Sequence, residues 1–100
     1  MGASKNHLTI YIANHTPGAI RAIRNLRAIC ADLKEHTNYE IEIVDITQDP
    51  DRAESDRVLA TPMVIRRLPL PIRRVIGDLS DREQVLYGLK LEQGEGEGEG

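Results

Sequence analysis

In the segment His7-Leu-Thr-Ile-Tyr-Ile-Ala13, leucine and isoleucine alternate with Thr9 and Tyr11. Such a period of two is typical of a β-strand. Thr16-Pro17 follows, and a hydroxyl cap before proline predicts a helix start. Apolar residues at three- and four-residue steps extend this helix to about Glu35; its predicted inward face is Ile20, Ile23, Leu26, Cys30 and Leu33. The segment Tyr39–Ile46 alternates again. This order predicts a right-handed βαβ unit with parallel strands.

The second half of the chain adds one helix, a hairpin and a final helix. The predicted ranges are a short polar helix over 50–59, strands over 63–65 and 72–76, and a helix from a Ser80–Glu83 capping box to about Leu91. Together the elements read βαβαββα, an α/β arrangement of the thioredoxin-like kind. Thr61-Pro62 then stands at the start of the third strand, where that fold usually carries a cis-proline.

Charge and length indicate one domain followed by an acidic tail. The chain has 100 residues, with 13 Lys and Arg against 16 Asp and Glu. Four of these acids lie in the last nine residues, so the remainder has 13 basic against 12 acidic groups, a net +1. We expect a single domain over 1–91 and a disordered Glu/Gly tail over 92–100. The near-neutral body argues against a nucleic-acid partner.

The longest stretch without a charged residue, His7 to Ile20, has 14 residues and is too short to cross a membrane. A single cysteine, Cys30, excludes an internal disulfide and fits a reducing, cytoplasmic location. We therefore expect a cytoplasmic protein without a membrane segment.

Neither catalytic chemistry nor a cofactor or metal site is indicated by the sequence. The loop after the first strand, Asn14–Gly18, lacks the cysteine that a disulfide oxidoreductase places at a helix N-terminus. The three histidines are scattered, without the paired spacing of metal ligands. We therefore predict that the protein is not an enzyme. The alternative is a thioredoxin-like redox or stress protein that uses Cys30.

Arginine is strongly preferred over lysine, by ten residues to three. Two arginine pairs, Arg66-Arg67 and Arg73-Arg74, flank the proline bend Leu68–Pro71. Three further arginines lie three residues apart on one face of the first predicted helix, at Arg21, Arg24 and Arg27. A solvated surface explains any single one of them. The preference as a whole favours a protein interface, because the planar guanidinium binds carboxylates through two bonds.

Several ordered blocks resemble the KaiB family of bacterial clock proteins. These blocks are Leu59-Ala-Thr-Pro62, Leu68-Pro-Leu-Pro-Ile-Arg-Arg74, Ile76-Gly-Asp-Leu-Ser80, Arg82-Glu83 and Val85-Leu86. The similarity extends from about Leu8 to Leu91. It implies a non-enzymatic clock or timing regulator that binds the N-terminal ATPase ring of a KaiC-type ATPase and promotes its dephosphorylation phase. In that family the complex also sequesters KaiA and displaces a KaiB-like sensor histidine kinase.

The resemblance also implies a switch between two folds. The free family member is a homotetramer or dimer with the order βαββααβ, and the binding-competent monomer is thioredoxin-like, βαβαββα. Two packings of one chain must lie within a few kcal/mol for this to occur. The expected switch residues are Pro62, Pro69 and Pro71, because X-Pro isomerisation is slow, together with Gly88 in the last helix.

By position, the residues expected to contact the ATPase ring are Arg21, Arg66, Arg73 and Arg74. Two departures from the family matter. Glu42 replaces a common lysine at the strand where KaiA would dock, which argues against KaiA as a partner and favours a timer or stress role. Lys90 replaces an expected aspartate in the region of the switch.

Overall fold

A computed structural model describes residues 6–91 and contains one mixed four-stranded sheet. Its elements are β1 (His7–Ile12), α1 (Pro17–Asp32), β2 (Glu40–Asp45), α2 (Pro50–Ser55), β3 (Met63–Leu68), β4 (Arg73–Ile76) and α3 (Arg82–Leu89). The strand order is β2-β1-β3-β4. Strands β1 and β2 are parallel, whereas β3 is antiparallel to both β1 and β4. The predicted thioredoxin-like order βαβαββα is confirmed. The predicted tail, 92–100, lies outside the described residues.

The first helix begins as predicted and presents a different face to the sheet. The Thr16 hydroxyl accepts a hydrogen bond from the Ala19 amide at 3.1 Å. The helix ends at Asp32, three residues before the predicted end. Its buried residues are Ala19, Ala22, Leu26, Ile29 and Cys30. Ile20, predicted to face inward, is exposed, because the small alanines rather than the isoleucine lie against the sheet.

The sheet separates two apolar layers of unequal size. The larger layer contains residues from β1, α1, β3, β4 and α3, among them Leu8, Ile10, Leu26, Val64, Val75 and Leu89. The smaller layer consists of Tyr11, Val44, Met63 and Ile65, on the side of α2. No residue of α2 is buried. The α2 side of the sheet is therefore the thinly covered side.

The last helix begins one residue later than predicted. Asp81 is the N-cap and accepts from the Gln84 amide at 3.2 Å, so the predicted Ser80–Glu83 capping box is wrong. The Ser80 amide instead donates to Asp78 Oδ1 at 3.0 Å. Lys90, with φ 52°, ends the helix.

The Thr61–Pro62 peptide bond is cis, as predicted for this fold. Leu68–Pro69 and Leu70–Pro71, in the connection between β3 and β4, are cis as well. Across residues 6–91, no helix is long and apolar enough to span a membrane.

Candidate partner interface

The outer strand β4 presents an open edge of the sheet. Among residues 6–91 it pairs with β3 alone, so the backbone groups on its other side have no strand partner there. Ile72 and Ile76, which flank this strand, are 53% and 55% exposed. An edge strand with exposed apolar residues is a typical place for a partner to dock.

Arg73 and Arg74 lie on opposite faces of this strand. Arg74 pairs with Ile65 on the α2 side, and its Nη1 donates to the Asp56 carbonyl at 2.6 Å. Arg73 pairs with Arg66 and shares its face with Val75, on the side of α3. Arg74 is exposed and Arg73 is half-buried. The two adjacent arginines therefore cannot be treated as one positive patch.

Arg21 belongs to α1 and lies beside the loop that follows β4. Its Nε is 3.5 Å from Asp78 Oδ2, in the loop that follows β4. Asn25 Nδ2 also donates to the Asp78 carbonyl, at 2.9 Å, which fixes this loop on α1. Of the four predicted contact residues, Arg73 and Arg74 thus lie on β4 and Arg21 lies next to the loop that follows it. We call them the arginine edge: Arg21, Arg73 and Arg74.

Arg66, the fourth predicted contact residue, is only 5% exposed. Its Nη1 donates to the Leu89 and Lys90 carbonyls at 2.9 and 3.0 Å, and its Nη2 donates to the Pro71 carbonyl at 2.7 Å. The side chain joins the end of α3 to the β3–β4 connection. These bonds hold the Arg66 guanidinium in the interior, although the residue lies opposite Arg73 of the arginine edge in the β3–β4 register.

The structure adds an apolar component that sequence reasoning missed. Leu59 is 92% exposed in the loop after α2, and Leu70, Ile72 and Ile76 are exposed around β4. Arg57, exposed and with φ 55°, lies in the turn just before Leu59. The sequence did contain a signal for this patch, because Ile72, Arg74 and Ile76 are spaced two residues apart and such residues share one face of a strand.

Polar contacts attach α2 to the sheet. Arg52 donates to both carboxylate oxygens of Glu42, and Thr9 Oγ1 donates to Glu42 Oε1 at 3.2 Å. The hydrogen bond from Arg52 lowers the pKa of Glu42 to about 2. Glu42, predicted from the resemblance to disfavour KaiA, is therefore an ion-pair partner of α2. Its negative charge is largely balanced within the chain.

A second polar group holds the C-terminal end of α2. Arg67 and the Tyr11 hydroxyl both donate to the Asp56 carboxylate, and Arg67 Nε donates to Thr9 Oγ1 at 2.9 Å. The hydrogen bond from Arg67 lowers the pKa of Asp56. Because α2 buries no side chain, these ion pairs and hydrogen bonds supply much of its attachment.

The predicted switch residues lie in the second half of the fold. A Cβ added to Gly88 would be 2.6 Å from Val75 Cγ2, so glycine permits the close approach of α3 to β4. Pro69 and Pro71 lie between β3 and β4, and Pro62 immediately precedes β3.

Cys30 does not have the surroundings of a redox thiol. It is buried in the larger apolar layer, and this burial raises its pKa to about 11. A disulfide oxidoreductase needs a thiolate near neutral pH. In the described part of the chain, no group of three His, Cys, Asp or Glu residues is arranged to hold a metal ion.

Comparison with known proteins identifies the family. The model of the KaiB domain matches residues 9–91 of the chain. The chain belongs to the KaiB family. It is 46% identical over 88 residues to the circadian clock oscillator protein KaiB of Synechococcus elongatus, which covers 88% of this chain and 85% of that protein. KaiB of Prochlorococcus marinus is 45% identical over 92 residues, covering 91% and 87%.

Solved structures place this KaiB-family chain among thioredoxin-like folds. The solution structure of the N-terminal domain of Synechococcus elongatus SasA is similar with a TM-score of 0.73 and 18% identity, over 95% of this chain and 92% of that one. Mitochondrial thioredoxin 3 of Saccharomyces cerevisiae gives a TM-score of 0.69 at 15% identity, over 87% and 78%. These likenesses show the fold.

Proposed function

We propose that this chain is a non-enzymatic clock or timing regulator that binds the N-terminal ATPase ring of a KaiC-type ATPase and promotes its dephosphorylation phase. Membership of the KaiB family supports the partner class. The observation that supports the interface most is the arginine edge beside exposed isoleucines on β4. Arginine within an apolar surround is a frequent hot spot of protein interfaces, and its guanidinium makes charge-assisted bonds to carboxylates.

The two faces of β4 contribute differently to this proposal. Arg74 and Ile76 lie on the α2 side, where Leu59 and Arg57 are also exposed. This side offers charge and apolar area together. We assign the main contact to Arg74, with Arg21 and Arg73 as flanking charges, and we assign Arg66 to the support of the strand.

We further propose that the free protein is a homotetramer or dimer with the order βαββααβ, and that the thioredoxin-like monomer is its binding form. The weak burial of α2 supports this, because its polar attachments are replaceable by water. The proposed switch residues, Pro62, Pro69, Pro71 and Gly88, all belong to the half that would repack.

The remaining partners follow from the same proposal. A sensor histidine kinase with a KaiB-like domain would compete for the ATPase ring, since it offers a domain of the same fold. KaiA is not proposed, because Glu42 replaces a common family lysine on the outer strand β2 and its carboxylate is already paired with Arg52. We place the protein in the cytoplasm, where a single thiol stays reduced.

The interface is tested by charge reversal followed by binding to a purified KaiC-type ATPase with ATP, measured by fluorescence anisotropy. Arg74→Glu is expected to weaken binding by about 30-fold or more, the size of a hot-spot loss. Arg73→Glu is expected to weaken it less. Arg24→Glu, an exposed change of the same charge on α1, is the matched control and should bind normally. Normal binding by Arg74→Glu with an unchanged circular dichroism spectrum would contradict the assignment.

A further inference from the structure

Strand β4 directs the backbone groups of alternate residues to its open edge. The Gly77 amide donates to the Pro62 carbonyl at 2.9 Å, and this pair continues the β3–β4 register by one residue. Hydrogen-bonded and non-hydrogen-bonded pairs alternate along an antiparallel ladder. The amide and carbonyl of Val75 therefore point towards β3. Those of Arg74 and Ile76 point the other way, to the side on which no strand is paired within residues 6–91.

The side chains of the same alternate residues form one row on the α2 side of the sheet. Ile72, Arg74 and Ile76 are two residues apart and share a face, and both isoleucines are half-exposed. Arg74 forms no ion pair within residues 6–91, and its Nη1 donates to the Asp56 carbonyl, which bears no net charge. The exposed Arg57 follows Asp56 and adds a second cation. The row therefore offers an apolar, a cationic and an apolar position.

This combination fits an extended acidic segment. A segment that adds a strand to a sheet edge gains affinity from main-chain hydrogen bonds and specificity from alternate side chains. Opposite charges directly across a ladder are favourable, and like charges are unfavourable. The other outer strand, β2, carries Glu40 and Glu42, so an acidic segment is disfavoured there. A second copy of β4 would bring two rows of arginine together, so it fits this edge less well than an acidic segment does.

We propose that the open edge of β4 binds an extended acidic segment of another protein by antiparallel strand addition. A carboxylate of that segment lies opposite Arg74, and apolar side chains two residues away on either side lie opposite Ile72 and Ile76. Antiparallel pairing is slightly more stable per residue than parallel pairing. The site shares Arg74 with the proposed ATPase interface. Strand addition does not require the ATPase as the partner, and its test uses no ATPase, so the two proposals fail separately.

The side-chain match is tested with a fluorescein-labelled peptide, Thr-Val-Thr-Glu-Thr-Val-Thr with blocked ends, by fluorescence anisotropy on the full chain after overnight incubation. We expect it to bind about tenfold or more tightly than the same peptide with lysine in place of glutamate, the size of a charge-assisted hydrogen bond. The variant Arg74→Glu should prefer the lysine peptide. The exposed control Arg24→Glu should keep the original preference.

A switch between two folds does not disturb this comparison. If only part of the protein has the open β4 edge, the affinity of every peptide falls by the same factor, and the ratios between peptides remain. No binding by the glutamate peptide, or equal affinity for the glutamate and lysine peptides, would overturn the proposal. An unreversed preference in Arg74→Glu would overturn it as well.

The main-chain bonds are tested by N-methylation of the peptide. In the antiparallel register the glutamate amide faces β4, so its methylation should weaken binding about tenfold or more. The amide of the adjacent threonine faces solvent, and its methylation is the matched control, which should leave the affinity unchanged. Equal affinities of the two methylated peptides would overturn strand addition, and a greater loss from the threonine methyl would overturn the antiparallel register.

A peptide with the β4 sequence tests a second copy as the occupant. This labelled peptide, Ile-Arg-Arg-Val-Ile-Gly-Asp, corresponds to residues 72–78 of the chain. We expect it to bind more weakly than the glutamate peptide, because it brings arginine to an arginine edge. If it binds as tightly or more tightly, the edge is suited to a second copy, and the proposal of an acidic partner is overturned.

Discussion

Replacing Arg66 with alanine is the perturbation that best separates a supporting arginine from a contact arginine. In the fold, Arg66 donates to three carbonyls, those of Leu89, Lys90 and Pro71. Arg66→Ala leaves all three without this donor and removes a buried side chain. At about 1 kcal/mol for each carbonyl, the lower end of the usual range, the loss is at least about 3 kcal/mol. A domain of this size has a free energy of unfolding of about 5 to 10 kcal/mol, so the loss is severe.

The assay is urea unfolding followed by circular dichroism. With a denaturant slope of about 1.5 kcal/mol/M, Arg66→Ala should lower the midpoint by about 2 M. Arg73→Ala is the matched control on the neighbouring strand, where the side chain forms no hydrogen bond within residues 6–91. It should cost less than about 1 kcal/mol. Equal losses in the two variants would refute the assignment of Arg66 to the interior.

Three other predictions follow from the described contacts. The pKa of Glu42 is lowered from 4.5 to about 2, so its stabilising effect is complete above pH 4.5 and is lost as the pH falls towards 2. In an acid titration, the stability of Glu42→Gln should therefore fall less steeply in that pH window than the stability of the unmodified protein. An unchanged slope would contradict the Arg52 pairing. The pKa of Cys30 is raised from 9.0 to about 11, so at pH 8 its thiolate fraction should be about a hundredfold lower than that of an ordinary thiol. Iodoacetamide should react with Cys30 at least that much more slowly in the native protein than in the protein unfolded by urea. Rapid alkylation or insulin reduction by the native protein would restore the redox alternative. Leu59, exposed as it is, should tolerate Leu59→Ser with a change in unfolding free energy of less than about 0.5 kcal/mol; ATPase binding should nevertheless weaken, and full affinity would remove Leu59 from the interface.

The first half of the fold was predictable because its signals are local. The alternation in β1 and the Thr16-Pro17 cap determine a strand and a helix start without reference to the rest of the chain. The error over Ile20 arose because two faces of α1 are apolar, and packing of Ala19 and Ala22 on the sheet decides between them. At the last helix, Ser80 and Asp81 are both good caps, and only the loop geometry selects Asp81.

The candidate site was predictable in composition but not in geometry. Alternation in a strand puts Arg73 and Arg74 on opposite faces. It does not say which face a helix covers, or that α3 brings its carbonyls to Arg66. The exposure of Leu59 likewise depends on how little of the sheet α2 covers. Such properties arise from contacts between segments far apart in sequence, which periodicity does not record.

The most direct test of the central claim is size-exclusion chromatography with light scattering, on the unmodified protein alone and after hours of incubation with a purified KaiC-type ATPase and ATP. We expect a tetramer or dimer for the protein alone, and with the ATPase a larger complex in which this chain is bound as monomers. A monomer that binds at once would contradict the proposed switch while leaving the interface intact. No co-elution in the presence of either ATP or ADP would contradict the claim that this chain regulates such an ATPase.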